Sequence, residues 1–269
     1  LKVSLPGQCP KGFFVDLEVS AAAPSYLTAA GFADCLARSV AQVDWWMSHR
    51  LLGSAYFSSP YMIQEKDENF LNARAVKLPE GDIEAMAALY RVLTLCGLGI
   101  AFTGMSHHGS MGEHQISHYI DCFARDRHPG TLHGQQVGVA ALTMARLQQQ
   151  FLASETPPQV SATVIDEDDM VRRMGAKIAE ECAMEWRKKS FSAESAAAFN
   201  EKMDEIWPEL RAELQAFTIP VSDMYAMLEA VGGPKTSAEL GLDQAFYREA
   251  VQHNHEMRDR FSFVDIAAD

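Results

Sequence analysis

The chain has 269 residues, enough for one large domain or two small ones, and its 48% hydrophobic and 22% charged residues are ordinary for a globular protein with a sizeable core. Its formal net charge of -13 disfavours nucleic acid and anionic membrane surfaces as partners, because an acidic chain repels both. Five cysteines, an odd number without a C-x-x-C pair, argue against a disulfide framework and a cysteine-only metal site. They favour reduced thiols in the cytoplasm.

The predicted elements begin with one strand. Residues 13–19 (FFVDLEV) are short, apolar and rich in aromatic and β-branched residues, which predicts a short N-terminal strand. No run of eighteen apolar residues and no signal peptide follows, so we expect no membrane segment. The chain begins with Leu1 rather than Met, which suggests a fragment or a processed form.

Beyond residue 20 the hydrophobic pattern is helical nearly throughout. A short helix over 22–30, with Pro24 in its first turn, is predicted to end at Gly31. Residues 103–112 (TGMSHHGSMG) form a loop rich in glycine and serine. The other predicted helices cover 32–52, 82–102, 113–126, 133–153, 166–189, 192–215, 220–231, 243–258 and 262–267. The fold class is therefore all-α, and neither G-x-G-x-x-G nor a P-loop motif is present.

Histidines cluster after the loop. His114 and His118 lie four residues apart and share one face of the predicted helix, where both can reach a metal ion, or one a metal and the other a substrate. The helix start beside the glycine-rich loop favours an anion. The alternative is a pair of surface histidines on a solvated helix.

Two further residues could complete a metal site. His133 opens a helix after a Pro-Gly turn, and Asp34 is predicted to lie just inside the helix that follows Gly31. Taken singly, each has a simpler interpretation, a helix cap for His133 and a carboxylate offsetting the helix dipole for Asp34. One carboxylate and two imidazoles together suit Zn²⁺, Fe²⁺ or Ni²⁺ with open positions for a substrate oxygen.

Four segments carry a family resemblance. Residues 15–38 (VDLEVSAAAPSYLTAAGFADCLAR) resemble the start of the C-terminal domain in the superfamily of iron-containing alcohol dehydrogenases, glycerol dehydrogenases and dehydroquinate synthases. Residues 112–121 (GEHQISHYID) resemble the E-H-x-I-S-H run of its sn-glycerol-1-phosphate dehydrogenase (AraM-type) branch. Residues 132–140 (LHGQQVGVA) resemble the following H-G-x-x-V-x-x-G motif, and residues 257–265 resemble the tail of that branch.

The resemblance implies a site and a domain plan. It implies Asp34, His114 and His133 as ligands of one divalent metal, with Zn²⁺ the first choice, and it implies that Asp34 and His118 are catalytic and contact substrate. Loop residues Ser106 and His107 would contact substrate too. Residues 1–20 would be the junction to a missing nucleotide-binding domain and residues 21–269 the helical metal- and substrate-binding domain.

The implied reaction is reduction of dihydroxyacetone phosphate to sn-glycerol 1-phosphate by NADH or NADPH. The cofactor would bind through a domain absent from this chain, and a cytoplasmic homodimer is expected. Loop 103–112 departs from the family, since Met105 to His108 stand where Arg and Pro are usual. Alternatives are therefore a related polyol or sugar-phosphate dehydrogenase, a dehydroquinate synthase-like lyase, or a non-catalytic helical module that retains the fold.

Two pairs near the C-terminus complete the candidates. His253 and His255 are two residues apart, cannot share a helix face, and are predicted to be solvent exposed. Arg258 and Arg260 are predicted either to bind a phosphate or an aspartate, or to lie as favourable cations at the end of a helix.

Overall fold

The computed structural model describes residues 7–268, and every regular element in that range is helical. Short 3-10 turns cover Ala75–Glu80, His107–Gly109, Arg125–Arg127 and Asn254–Met257. The α-helices, numbered in chain order, are α1 Leu17–Ala21, α2 Ser25–Leu36, α3 Arg38–Leu52, α4 Ser59–Ala73, α5 Ile83–Thr103, α6 Gly112–Phe123, α7 His133–Ala153, α8 Glu167–Met174, α9 Ala176–Arg187, α10 Ala193–Phe217, α11 Val221–Ala230, α12 Gln244–His253 and α13 Phe263–Ala267. The all-α prediction is confirmed.

The predicted strand at 13–19 is wrong. Its second half begins helix α1, because the Asp16 side chain accepts the amide hydrogen of Val19 at 3.0 Å and caps the first turn. Phe14 is almost fully exposed, so the run does not have the buried face that its composition suggested. A strand also needs a second strand to pair with, and no strand is present within residues 7–268. Residues 1–6 of the expected junction lie outside the described part.

The predicted break at Gly31 is also wrong. Helix α2 continues through Gly31 and ends at Leu36, and the chain turns at Ala37 before α3. Leu89 and Leu93 of α5 pack against this position, since a Cβ built on Gly31 would lie 3.8 Å from each. Tertiary packing therefore outweighs the roughly 1 kcal/mol that glycine costs in a helix. As a result Asp34 lies in the last turn of α2, where a helix dipole disfavours a carboxylate.

The helices around the histidines match their predicted positions closely. Helix α7 begins at His133, where the Gln135 side chain accepts the Leu132 amide hydrogen at 2.9 Å. Helix α6 begins at Gly112, one residue before the predicted start.

The predicted helix over 166–189 is divided at Gly175, whose φ of 82° is in the region that favours glycine.

Helices α2 and α7 pack unusually closely. A Cβ on Gly134 would lie 2.0 Å from the Ala30 carbonyl oxygen, and one on Gly138 would lie 2.7 Å from the Ala33 Cβ. Only glycine allows the two backbones to approach this far. The side chains beside this contact, Phe32 and Val137, are fully buried in the core.

Helix α5 is the most apolar element. By length and composition it could cross a membrane, with a mean hydropathy of 1.7 and 33% of its apolar stretch buried. This is weak support for a membrane span, because core helices pass the same test, and α5 packs against α1, α2 and α4.

The expected exposure of His255 is wrong. The turn Asn254–Met257 packs between α6 and α9, and it buries His255 with its ring edge against Trp186 at 5.1 Å between centroids. Burial lowers the pKa of His255 to about 4, because a charged imidazole is disfavoured there. His253 is half-buried and contacts Glu256 at 2.6 Å.

Candidate metal centre

The ends of three helices meet at one cluster of donor atoms. Asp34 comes from the last turn of α2, His114 from the first turn of α6, and His133 is the first residue of α7. One donor atom from each of the three lies within 4.8 Å of the other two. The Nε2 atom of His114 is 3.4 Å from Oδ1 of Asp34.

Local packing explains why these residues converge. Gly134 allows the start of α7 to lie against the backbone of Ala30, one turn before Asp34 on α2. At the start of α6, the Gly112 amide donates to the buried Asp44 carboxylate at 3.2 Å. A side chain at Gly112 would also meet Met144 at 2.6 Å. Two close approaches that require glycine therefore bring the two imidazoles to the carboxylate.

His114 lies between two carboxylates. Its Nδ1 atom is 2.8 Å from Glu113 Oε1, and its other nitrogen faces Asp34. Burial alone would lower the pKa of His114, but hydrogen bonds to Asp34 and Glu113 outweigh it and raise the pKa to about 9. Without a metal ion, His114 is therefore a cation at neutral pH, and an ion bound there would take the place of its proton.

His133 is held by a different kind of partner. Its Nδ1 atom is 3.0 Å from Ser117 Oγ, and Ser117 donates to Gln136 Oε1 at 2.8 Å. Ser117 and Gln136 are both fully buried. The Gln136 amide nitrogen in turn donates to Asp121 Oδ1 at 3.1 Å, which sets the orientation of its side chain.

His118 lies at the edge of the cluster. Its ring stacks on that of His133, with centroids 5.8 Å apart and planes 17° apart, and lies 6.0 Å from that of His114. It is one turn further along α6 than His114 and is 8% exposed. A third imidazole is thus beside the ligand set, where it can contact a molecule bound at the centre.

Ser106 and His107 of loop 103–112 contact Arg260 and Trp45. The Ser106 hydroxyl accepts from the Arg260 guanidinium at 2.7 Å, and Arg260 also donates to the Ser110 carbonyl. The His107 ring lies 5.5 Å from that of Trp45. Burial, followed by the charge of Arg260, lowers the pKa of His107 to about 3, so this ring is neutral. Arg260 therefore binds the loop, which neither sequence-based alternative described.

A buried aspartate, Asp44, lies near Glu113. Asp44 is fully buried on α3 and accepts hydrogen bonds from Gln148 at 3.0 Å and from the Phe263 amide at 3.1 Å. Burial, followed by the nearby charge of Glu113, raises the pKa of Asp44 to about 8. Through these acceptor bonds Asp44 joins α3, α6, α7 and the C-terminal segment.

The donor set fits a divalent transition metal. One carboxylate and two imidazoles, on three separate helices, are the ligand types that Zn²⁺, Fe²⁺ and Ni²⁺ accept, and three ligands leave positions open for a substrate oxygen. The partly exposed Asp34 provides an approach, while His114 is buried.

Sequence reasoning missed three residues of this centre. Glu113 is next to His114 in the chain, and its position before the histidine pair was the available signal. Ser117 lies three residues after His114, on the same helical face. Gln136 has no such signal, because its contact with Ser117 depends on how α6 and α7 cross.

Comparisons with known proteins identify relatives of this chain. No protein-family model matches the chain. Proteins described as glycerol-1-phosphate dehydrogenase [NAD(P)+] are similar over nearly the whole chain, among them that of Halalkalibacterium halodurans, 27% identical over 98% of this chain and 58% of the relative. The Bacillus subtilis protein is 25% identical over 98% and 57%. The Methanothermobacter thermautotrophicus protein is 32% identical over 54% and 41%.

These relatives are longer than the chain, which spans a little under three fifths of the length of those that match it throughout. The similarity includes the segments that carry Asp34, His114 and His133, since it covers 98–99% of the chain. The chain is therefore homologous, over nearly its whole length, to the glycerol-1-phosphate dehydrogenases.

Proposed function

We propose that this chain is the metal- and substrate-binding part of an NAD(P)-linked oxidoreductase that reduces dihydroxyacetone phosphate to sn-glycerol 1-phosphate. The observation that carries the proposal is the convergence of Asp34, His114 and His133 within 4.8 Å, in a chain homologous to glycerol-1-phosphate dehydrogenases. Convergence of one carboxylate and two imidazoles from three helices is not required by packing alone, because apolar side chains would fill the same space at lower cost.

Asp34, His114 and His133 would hold the ion, with Zn²⁺ the first choice and Ni²⁺ or Fe²⁺ as alternatives. The bound ion would supply Lewis acidity, which polarises a ketone and stabilises the alkoxide that hydride transfer forms. His118 is the residue beside the ligands that would orient the substrate or hold a proton near its oxygen. Asp34 is partly exposed and would contact the substrate as well as the ion.

The phosphate of the substrate would be recognised at loop 103–112, through Ser106 and His107. Arg260 supports this assignment, because its guanidinium binds the loop at Ser106 and stays cationic at neutral pH although burial, then Arg258, lowers its pKa to about 10. A cation within an acidic chain gives a phosphorylated substrate a local positive centre. This loop differs from the family pattern, so a related polyol or sugar-phosphate substrate is the second candidate.

The NAD or NADP cofactor would bind through a region that is not in this chain. Support for a further region comes from the relatives, whose names include NAD(P)+ and whose length exceeds the matched part. We place the complete enzyme in the cytoplasm, and we expect it to act on a small substrate as a homodimer. A non-catalytic helical module is the alternative if the gene encodes no nucleotide-binding region upstream.

The first test is metal content. The wild-type chain and a triple variant, Asp34→Ala with His114→Ala and His133→Ala, are loaded with Zn²⁺, desalted and analysed by mass spectrometry. We expect about one ion per wild-type chain and none in the variant. Equal metal in both proteins would refute the ligand assignment, and circular dichroism controls for folding of the variant.

The second test is activity of the gene product together with any upstream coding region. Oxidation of NADH or NADPH is followed with dihydroxyacetone phosphate, and with dihydroxyacetone and phosphorylated sugars as controls. Preference for dihydroxyacetone phosphate that disappears in His118→Ala supports the proposal. Metal binding without any reduction of these substrates would favour the non-catalytic module.

A further inference from the structure

Each histidine of the candidate centre already uses one ring nitrogen for a bond within the chain. The Nδ1 atom of His114 meets Glu113 Oε1 at 2.8 Å, and the Nδ1 atom of His133 meets Ser117 Oγ at 3.0 Å. A neutral imidazole carries its hydrogen on one nitrogen and its lone pair on the other. The partners of Nδ1 therefore decide which nitrogen can bind a metal ion.

The hydrogen bonds of Ser117 determine the tautomer of His133. The Gln136 amide nitrogen donates to Asp121, so its oxygen faces Ser117 and accepts the one hydroxyl hydrogen that Ser117 has. The Ser117 oxygen can then only accept from His133, which places the hydrogen of His133 on Nδ1. The lone pair of His133 is consequently on Nε2.

Glu113 holds a hydrogen on Nδ1 of His114 by a similar contact. Its Oε1 atom also accepts the Met111 amide hydrogen at 2.9 Å, so this oxygen acts as an acceptor toward His114 as well. The hydrogen shared with Glu113 is therefore on Nδ1 of His114, and Nε2 is the nitrogen that faces Asp34. Because Glu113 is fully buried beside the centre, it also adds a negative charge that water screens little.

We propose that Glu113 and the Ser117–Gln136 pair are positioning residues that preset both histidines to bind a divalent cation through Nε2. The proposal rests on the metal centre proposed above. Glu113 would act through orientation and charge, and Ser117 with Gln136 through orientation alone. Outer hydrogen-bond partners of this kind typically contribute about 10- to 100-fold to metal affinity.

The tautomers are measured directly by two-bond ¹H–¹⁵N correlation spectra of histidine-labelled protein. In the metal-free chain we expect the His133 signals of an Nδ1–H tautomer, and a change to Nε2–H in Gln136→Leu, where Ser117 is free to donate. With Cd²⁺ as the probe, we expect coupling to Nε2 of both histidines. An Nε2–H tautomer of His133 in the wild type would overturn the proposal.

Affinity for Zn²⁺, measured against a competing indicator, separates orientation from charge. Glu113→Gln keeps an acceptor oxygen but loses the charge, and we expect about tenfold weaker binding. Glu113→Ala loses both, and we expect a loss of up to about 100-fold. For Ser117→Ala, which removes the hydrogen-bond partner of His133 Nδ1, we expect about a tenfold loss.

The matched control is Glu256→Gln, away from the centre. Glu256 is also a buried glutamate that contacts a histidine, because its Oε1 atom lies 2.6 Å from Nδ1 of His253. We expect its Zn²⁺ affinity to stay within about twofold of the wild type. Equal affinities of the Glu113 variants and this control would overturn the proposal. If Glu113→Ala does not fold, Glu113→Gln alone decides the test.

Failure of the metal centre itself would be recognised separately. A wild-type chain that binds no Zn²⁺ would refute the metal proposal, and the tautomer of His133 in that metal-free chain would still be measured. An Nδ1–H tautomer together with no metal binding would show that these hydrogen bonds serve the fold, which overturns the positioning role.

Discussion

Replacement of Gly134 by alanine tests how the centre is assembled. The new Cβ would lie 2.0 Å from the carbonyl oxygen of Ala30, whereas ordinary contacts begin at about 3.4 Å. This oxygen belongs to the backbone of α2 and cannot rotate away, so the start of α7 must move by more than 1 Å. Ala30 is one turn before Asp34, and Gly134 directly follows His133, so this movement separates two of the three ligands.

The size of the effect of Gly134→Ala follows from the free-energy cost of overpacking a core, about 1–3 kcal/mol. In the metal-free chain the helices can relax apart, but metal binding would require them to close again. If the whole cost falls on the bound state, Zn²⁺ affinity drops about 5- to 150-fold. Any part of the cost that remains in the metal-free chain lowers its free energy of unfolding instead.

The assay is an indicator competition for Zn²⁺ together with urea unfolding of the metal-free chain. The matched control is Gly97→Ala on α5, where a Cβ would meet nothing within 4 Å. We expect unchanged Zn²⁺ affinity there and stabilisation of up to about 1 kcal/mol, since alanine is the better helix former. A Gly134→Ala protein with wild-type affinity and stability would refute the argument from close packing.

Three further outcomes are expected. Asp44 has a pKa of about 8 when folded and 3.8 as its ordinary value, so the folded chain binds the additional proton between these values. Its free energy of unfolding should therefore fall as pH rises from 4 to 8, by up to about 1.4 kcal/mol per pH unit. Urea titrations across this pH range should show a smaller fall in Asp44→Asn, which would identify Asp44 as the group responsible. Phe32→Ala, at a fully buried position, should cost about 3–5 kcal/mol in the same assay, and a loss below about 1 kcal/mol would contradict the described core. Arg260→Met should speed amide hydrogen exchange in loop 106–110, because the guanidinium bonds to Ser106 and Ser110 are lost; unchanged exchange would mean that the loop is held by other contacts.

Much of the local structure could be predicted from the sequence because its causes are local. The turn at Pro129 and Gly130 precedes a long amphipathic pattern, and α7 starts at His133 as predicted. The four-residue spacing of His114 and His118 places one ring in the ligand set and the other beside it, because α6 forms where the pattern indicated. Helix periodicity and turn residues act over a few positions, so a single sequence contains them.

The predictions that were wrong concern features that depend on distant residues. Gly31 reads as a helix break in isolation, but Leu89 and Leu93 pack against it and α2 continues to Leu36. The apolar residues at 13–19 read as a strand, but the described chain offers no strand to pair with them. In both cases the deciding contact lies far along the chain.

The sequence by itself therefore determined that the chain is helical and which residues could bind a metal ion, since helix periodicity and the chemistry of histidine and aspartate are local properties. Only the tertiary structure decided that Asp34, His114 and His133 meet, because their approach depends on the close contact of Gly134 with Ala30. It also decided that the Nδ1 atom of His133 is bonded to Ser117, because this hydrogen bond exists only once α6 and α7 have packed, whereas the contact of His114 with Glu113 lies within α6.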